Sequence, residues 1–429
     1  MGNARNRGIV GLVRLVLLAS CASCANESHG HQSAASIAPS ADSGVRLDAS
    51  ANAEGRAIPT PAPAPTRMVP AAPPPAFDAG VTACHPLRVP YVDPDFIAPV
   101  ALRVVEDGAT PVAQLVFNDT GIPHVVDVPA DDKDASALIS ASRTRTTLPS
   151  CAVAGDAIVC PDASGVVQVW RGDRHSILGR ARPGTDVAAA TIDGKLALAF
   201  VMDHVTTEGV MREAWVVVEG GAPVRVSEEG SGATFIELAA RGKGLLAMTI
   251  DARVAMTPAH ARSLVLENGA LTLGPDAVVF VGGSAEPHNA GALATASDGT
   301  AFELIAVADG ATAFGMAAIR IEDPPRVDEP VVWSLYPNGL DPAPIAATHD
   351  GARMMIARVR PRDEAPKAPR DLEIGELGKD GAFVPSCVID EAPFIKDVEI
   401  SLDRKGALWV FYRDPRGSVL ERRALPPRR

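Results

Sequence analysis

A short unit recurs along most of this chain: a small or apolar approach, a Gly/Asp turn, then a strand. It reads Thr191-Ile-Asp-Gly-Lys-Leu-Ala-Leu-Ala-Phe200, then Thr295-Ala-Ser-Asp-Gly-Thr-Ala-Phe302. It returns as Thr348-His-Asp-Gly-Ala-Arg-Met-Met-Ile356 and Ser401-Leu-Asp-Arg-Lys-Gly-Ala-Leu-Trp-Val410, with a fainter copy at Ala240–Met248. The turns at Gly242, Asp298, Asp350 and Asp403 are about 50 to 56 residues apart, and Asp193 precedes Gly242 by 49. Gly and Asp are turn residues because they tolerate backbone conformations that most side chains oppose. Around them lie short apolar or alternating runs, among them Val112–Val116, Pro123–Val128, Ala157–Cys160, Val166–Trp170, Leu196–Val201 and Trp215–Val218. Runs of this kind read as strands. The best helical spacing is at Thr257–Leu266, where a short helical insertion is expected.

A 50-residue period in an all-β chain suits the four-stranded blades of a propeller. Thr120-Gly121 and Gly155-Asp156 supply two further turns upstream, giving six to seven blades, with seven favoured. Such a ring must close to remove its sheet edges. The alternative is tandem β-sandwiches, whose turns recur every 8–12 residues without the longer period. On these residues the chain resembles bacterial β-propeller proteins over most of Pro90–Leu425. Ser401–Trp409 is similar to the Asp-box of sialidase-like propellers, with one extra residue before Gly406 and no Thr. That resemblance implies a structural hairpin on a blade rim, not a catalytic element.

Outside the N-terminal segment four cysteines remain: Cys84, Cys151, Cys160 and Cys387. An even number in an oxidising compartment predicts two disulfides. Cys151 and Cys160 flank a hairpin turn at Ala154-Gly155-Asp156. A Cys84–Cys387 bridge would close a loop of about 300 residues, worth about 5 kcal/mol by chain entropy. The pairings 84–151 with 160–387, and 84–160 with 151–387, stay open.

The N-terminus carries Arg5, Arg7 and Arg14, an apolar run, and then Leu18-Ala19-Ser20-Cys21. Basic residues ahead of an apolar stretch form a secretory signal. The stretch ending in Cys21 resembles the signal of bacterial lipoproteins. It implies cleavage after residue 20, a diacylglyceryl thioether on Cys21 and, with Ala22 rather than Asp next, an outer-membrane address. The predicted divisions are a signal over 1–20, a disordered Ala/Ser/Pro-rich tether over 21–82 and a propeller-like ectodomain over 83–429. The tether includes Pro59–Pro65 and Pro73–Pro75 and is too poor in large apolar residues to offset its ordering entropy. The ectodomain is expected on the periplasmic or extracellular side.

Few function classes survive the composition. The net charge is −12, and losing three arginines with the signal makes it more negative, which opposes nucleic-acid binding. Aromatic residues are 4% of the chain, too few for the stacking platforms that glycan binding generally uses. Trp170, Trp215, Trp333 and Trp409 lie in apolar strands and are expected in the core. A sialidase needs a Tyr nucleophile paired with a carboxylate, and only Tyr91, Tyr336 and Tyr412 are available. Gly230-Ser-Gly232 and Gly282-Gly-Ser284 read as loop glycines, and Asp131-Asp132-Lys133-Asp134 as a solvated turn rather than a calcium loop. No catalytic residue, cofactor or metal is assigned. The expected role is a membrane-tethered binding or scaffold platform with an envelope protein or a glycan as partner. A glycan-acting hydrolase or lyase is the alternative, and oligomeric state is open.

Overall fold

The computed structural model describes residues 82–87, 91–93, 100–107, 110–130, 149–207, 209–251, 258–281, 291–309, 313–323, 325, 331–337, 345–349, 353–361, 370–389, 395, 397–414 and 417–425. Among them every regular element is a strand. The signal, the tether from Cys21 up to residue 81, the acidic run at 131–134, the glycines at 282–283 and Asp350 lie outside these residues, whereas Thr82, the last residue assigned to the tether, is already in a strand. All described residues belong to the compact unit Ala64–Arg429.

The strands form seven antiparallel sheets, each built from consecutive segments. Blade 1 holds Ala101–Asp107, Thr110–Asp119 and Ile122–Pro129. Blade 2 holds Ala152–Ala154, Ala157–Pro161, Val166–Arg171 and Arg174–Arg180. Blade 3 holds Val187–Ile192, Lys195–Thr206, Gly209–Val218 and Val224–Arg225. Blade 4 holds Ala233–Arg241, Gly244–Asp251, Pro258–Glu267 and Ala270–Val281. Blade 5 holds Gly291–Thr295, Ala301–Asp309, Ala313–Ile321 and Val331–Pro337. Blade 6 holds Ile345–His349, Met354–Pro361, Arg370–Leu377 and Phe383–Ile389. Blade 7 holds Asp397–Leu402, Ala407–Asp414 and Gly417–Ala424. The first strand of each blade touches the first strands of the blades before and after it, and that of blade 7 touches that of blade 1. The molecule is a seven-bladed β-propeller.

Strand alternation explains why the strands read as nearly continuous apolar runs. Side chains in a strand point to opposite faces in turn, and here both faces are covered by blades. In Lys195–Thr206, Leu196, Leu198 and Phe200 pack toward blade 2, while Ala197, Ala199 and Val201 pack toward blade 4. In Ala407–Asp414, Leu408, Val410 and Tyr412 face blade 6, and Trp409 and Phe411 face blade 1. Each of the seven blade interfaces holds its own apolar cluster.

Closure is the work of the N-terminal segment. Thr82–Ala83 adds in parallel to the outer edge of blade 6, with Thr82 opposite Cys387. His85–Pro86 and Tyr91–Asp93 then pair antiparallel with Gly417–Ala424 and supply the outer edge of blade 7. Cys84, at the crossing between the two blades, is bonded to Cys387 (Cα–Cα 4.9 Å). Its amide donates to Val388 O at 3.0 Å, and Arg423 donates to its carbonyl. The second disulfide joins Cys151 and Cys160 (Cα–Cα 4.4 Å), continuing the register in which Ala152 faces Val159.

Two expectations need correction. The helical insertion at Thr257–Leu266 is instead the third strand of blade 4, Pro258–Glu267, paired on both sides. Its apolar residues do recur at helix-like intervals, but they serve two faces. Ala259 and Ala261 pack toward blade 5, and Leu264 and Leu266 toward blade 3. The Thr120-Gly121 turn joins the second and third strands of blade 1, whereas the other recurring turns join first and second strands. The tryptophans also differ in rank. Trp170 and Trp215 are on third strands, Trp333 on a fourth and Trp409 on a second.

Candidate functional site

Seven first strands converging on one axis leave a void that their side chains must fill. Blades 2 to 6 present mostly small residues there, including Ala154, Ala189, Ala240, Ala294 and Ala347. These cannot fill the axis, and a cavity of about 580 Å³ remains, opening at the end where first strands turn into second strands. Its volume lies in the range of small-molecule sites. Thr191, Thr295, Ser297, Thr348 and His349 give it polar groups at the mouth.

Three carboxyls on inner strands have raised pKa values, and none of them is among the residues that line the cavity. Glu237 is on the first strand of blade 4, between Ile236 and Leu238, and Leu238 lines the cavity. In register it sits opposite Met248, whose side chain packs toward blade 5, so Glu237 shares that face. Glu303 comes from the second strand of blade 5, opposite Leu293 and Ile319, which pack toward blade 4. The two side chains therefore face each other across one blade interface. Glu237 accepts the amide of Leu293, another cavity residue, while Glu237 Oε2 and Glu303 Oε2 have no partner among the described residues. Glu399 is on the first strand of blade 7, across the ring from blade 4, yet it feels the charge of Glu237. In register Glu399 sits opposite Phe411, whose side chain packs toward blade 1, so Glu399 shares that face.

Burial governs the ionisation of all three. It lifts Glu237 to about 7, against the weaker opposing pull of the Leu293 amide. It lifts Glu399 to about 7 as well, with the charge of Glu237 adding to the rise. Glu303, only 2% exposed, is pushed well above the usual carboxylate range by burial and then by Glu237. Loss of hydration disfavours a charge, and a second carboxylate nearby disfavours it further. None of the three was singled out from sequence. The signal was there, because each is a carboxylate flanked by apolar strand residues, as in Ile236-Glu237-Leu238 and Val398-Glu399-Ile400.

The residues singled out from sequence lie elsewhere. Cys84, Cys387, Cys151 and Cys160 are in the two disulfides, away from the cavity lining. Tyr412 does meet a carboxylate, donating its hydroxyl to Glu421 at 3.0 Å, but it is 2% exposed and packed between blades 6 and 7. Trp409 is wholly buried, and the partly buried Trp170 and Trp333 donate to the carbonyls of Gly121 (3.1 Å) and Gly381 (2.8 Å) in the neighbouring blades. His260 bonds Asp276 at 3.1 Å beside Ser231 and Thr249, the residue types of a nucleophile relay. That cleft measures about 10 Å³, room for one water and no acyl substrate. Asp403 holds its turn by accepting from the amides of Lys405 and Ala407, and it receives Arg422, so this Asp-box-like hairpin is structural.

No protein family and no curated protein matches the chain. Among solved structures it is similar to a Thermus thermophilus protein described as a putative oxidoreductase (glucose dehydrogenase). That likeness has 14% identity and a TM-score of 0.35, over 63% of this chain and 95% of that one. A mutant Aleuria aurantia lectin in complex with Fucα1-6GlcNAc aligns at 10% identity and TM-score 0.36, over 63% and 91% of the two chains. BBS1N, solved in complex with ARL6DN, aligns at 10% identity and TM-score 0.42, over 81% and 99%.

Proposed function

We propose that this propeller is a binding platform of the cell envelope, held to the outer membrane by a lipid on Cys21. The observation that carries the binding role is the axial cavity, a preformed concavity of about 580 Å³ with hydroxyl groups at its mouth. The anchor rests on Leu18-Ala19-Ser20-Cys21 and on the Pro-rich segment behind it. Two disulfides fit an oxidising compartment. The way the chain enters the fold fits a tether: Thr82–Ala83, His85–Pro86 and Tyr91–Asp93 are woven into blades 6 and 7 and stapled at Cys84, so a pull from the N-terminus is borne by two blades. Among the described residues no helix is long and apolar enough to cross a membrane. A glycan-acting hydrolase would need its two carboxyls open to a polysaccharide. Glu237 and Glu303 face each other inside a blade interface, with Glu303 almost fully enclosed.

Labelling growing cells with a palmitate analogue tests the anchor. The wild-type chain should take up label and sediment with outer membranes, while Cys21→Ser should lose both properties. An unlabelled, freely soluble wild-type chain would overturn the tethered reading.

A further inference from the structure

We propose that the axial cavity is the recognition site for a small uncharged polyol, a sugar-sized molecule held through several hydroxyl groups at once. This names the ligand class for the platform described above and rests on that reading.

The walls of the cavity are strand edges. Each first strand of blades 2 to 6 is the end strand of its sheet and pairs on one side only. In an antiparallel ladder, residues that exchange both backbone bonds with their partner alternate with residues whose amide and carbonyl point away from it. The two-residue turns Asp193-Gly194 and Gly242-Lys243 make Ile192–Lys195 and Arg241–Gly244 bonded pairs. Counting back, Ala189 and Thr191 in blade 3, and Leu238 and Ala240 in blade 4, turn their backbone groups out of the sheet toward the axis. The same count gives Val153 in blade 2, ahead of the Gly155-Asp156 turn. In blade 5 the Ala296 amide donates to Thr300 O at 2.8 Å, which turns Thr295 and Leu293 outward. Leu293 shows the direction, since its amide leaves its own sheet for Glu237. All of these outward residues line the cavity.

The class of ligand follows from what those edges offer. The repeat unit opens on Thr in three of its copies, at Thr191, Thr295 and Thr348, and all three line the cavity. Among the described residues no Asp, Glu, Lys or Arg lines it, so a charged ligand would lose hydration with no counter-ion. Amides and hydroxyls donate, carbonyls and hydroxyls accept, and both kinds arrive from several blades around one space. An ammonium offers only donors and a carboxylate only acceptors. An extended peptide matches one strand edge, not edges that converge from all of blades 2 to 6. A compact molecule with hydroxyls on several carbons donates and accepts in every direction. Ala189, Ala240, Ala294 and Ala347 are too small to cover the backbone it would meet.

The test is saturation-transfer NMR of the full-length protein at pH 7 with D-glucose, D-galactose and D-mannose, each beside its uronate and its amino sugar. Cyclohexylmethanol, a six-membered ring with one hydroxyl, controls for apolar filling. We expect at least one hexose to bind with a Kd below about 10 mM, and its charged counterparts and cyclohexylmethanol to bind about tenfold more weakly or worse. Ala240→Phe, which fills the mouth from an exposed position, should weaken that hexose about tenfold or more. Thr191→Val and Thr348→Val should each weaken it about two- to tenfold, as loss of one neutral hydrogen bond does. Glu229→Gln, on the exposed outside of blade 3, should leave binding unchanged. Circular dichroism of each variant establishes that the propeller is intact. Offering the best hexose as the terminal unit of an oligosaccharide then tells a glycan end, bound equally well, from a free sugar, bound about tenfold better. The assignment is overturned if no hexose binds at about 10 mM, or if a charged counterpart or cyclohexylmethanol binds as tightly. An intact Ala240→Phe propeller that binds like wild type would overturn it too. None of these outcomes bears on lipid labelling at Cys21, so the anchor and the ligand fail separately.

Discussion

A carboxyl inside a protein records what its surroundings cost it, and Glu237, Glu303 and Glu399 record a large cost. Glu237 and Glu399 sit at about 7 because burial disfavours their charge, and Glu303 is displaced in the same direction. An unfolded glutamate releases its proton near about pH 4.3. Between that pH and about 7 the folded chain therefore binds more protons than the unfolded one. Stability is then fully present at low pH and falls as pH rises through the folded value, by up to about 3 kcal/mol for Glu237 and for Glu399, with Glu303 acting in the same direction. Urea midpoints measured at pH 5 and pH 8 should show the protein weaker at pH 8. Glu303→Gln, which keeps the shape and removes the charge, should flatten that difference, and a steeper fall in the variant would refute the account. Little of this was legible in the chain. Each glutamate stands out locally as an acid in an apolar strand, but the meeting of Glu237 and Glu303 depends on a ring that sets blades 4 and 5 face to face.

At the scale of strands and turns, legibility was high where local chemistry decides conformation. Asp193 and Gly194 adopt φ of 49° and 73°, the left-handed pair that a two-residue hairpin requires, and Asp-Gly is among the few sequences that tolerate it. Such turns made the blade period visible. Where burial on two faces decides, the pattern misleads, as in Pro258–Glu267, whose apolar residues divide between blades 3 and 5. The interface between blades 1 and 2 shows a different compromise. Its buried apolar cluster is only Val116, Cys151, Ile158 and Cys160, the smallest of the seven, and polar contacts reinforce it. Asn118, 1% exposed, donates to Pro149 O (3.0 Å) and Pro161 O (2.7 Å) and accepts the Gly121 amide at 2.8 Å. The indole of Trp170 bonds Gly121 O at 3.1 Å, so one turn is held from two sides. Asn118→Ala strands two carbonyls and an amide, and should cost about 2–3 kcal/mol. Urea unfolding measures the loss, and hydrogen exchange should quicken first along Ala157–Pro161. A loss below about 0.5 kcal/mol would mean that water replaces the amide at no cost.

On the scale of the whole molecule the question is how a ring of seven sheets stays shut. Each interface is apolar, and several carry a cross-blade clamp: Arg171 to Glu219 between blades 2 and 3, Arg241 to three carbonyls between 4 and 5, and Lys379 to Asp298 between 5 and 6. The seam is different, because the chain has to return to its own beginning. Thr82–Ala83 on blade 6 and His85–Pro86 on blade 7 straddle that seam, and the Cys84–Cys387 bond spans 303 residues of sequence. The Cys151–Cys160 bond spans 9, within one hairpin. If each works by restricting the unfolded chain, the long closure contributes about 5 kcal/mol and the short one about 2.5 kcal/mol. The double variant Cys84→Ser with Cys387→Ser should therefore lose about twice the stability lost by Cys151→Ser with Cys160→Ser, measured as unfolding free energy in urea. It should also free the N-terminal segment, so that a protease trims the chain up to the propeller before the blades unfold. If both pairs cost the same and the N-terminus stays protected, the seam is held by strand pairing to Gly417–Ala424 alone. In that case the bond would be a passenger on a closure made by backbone hydrogen bonds.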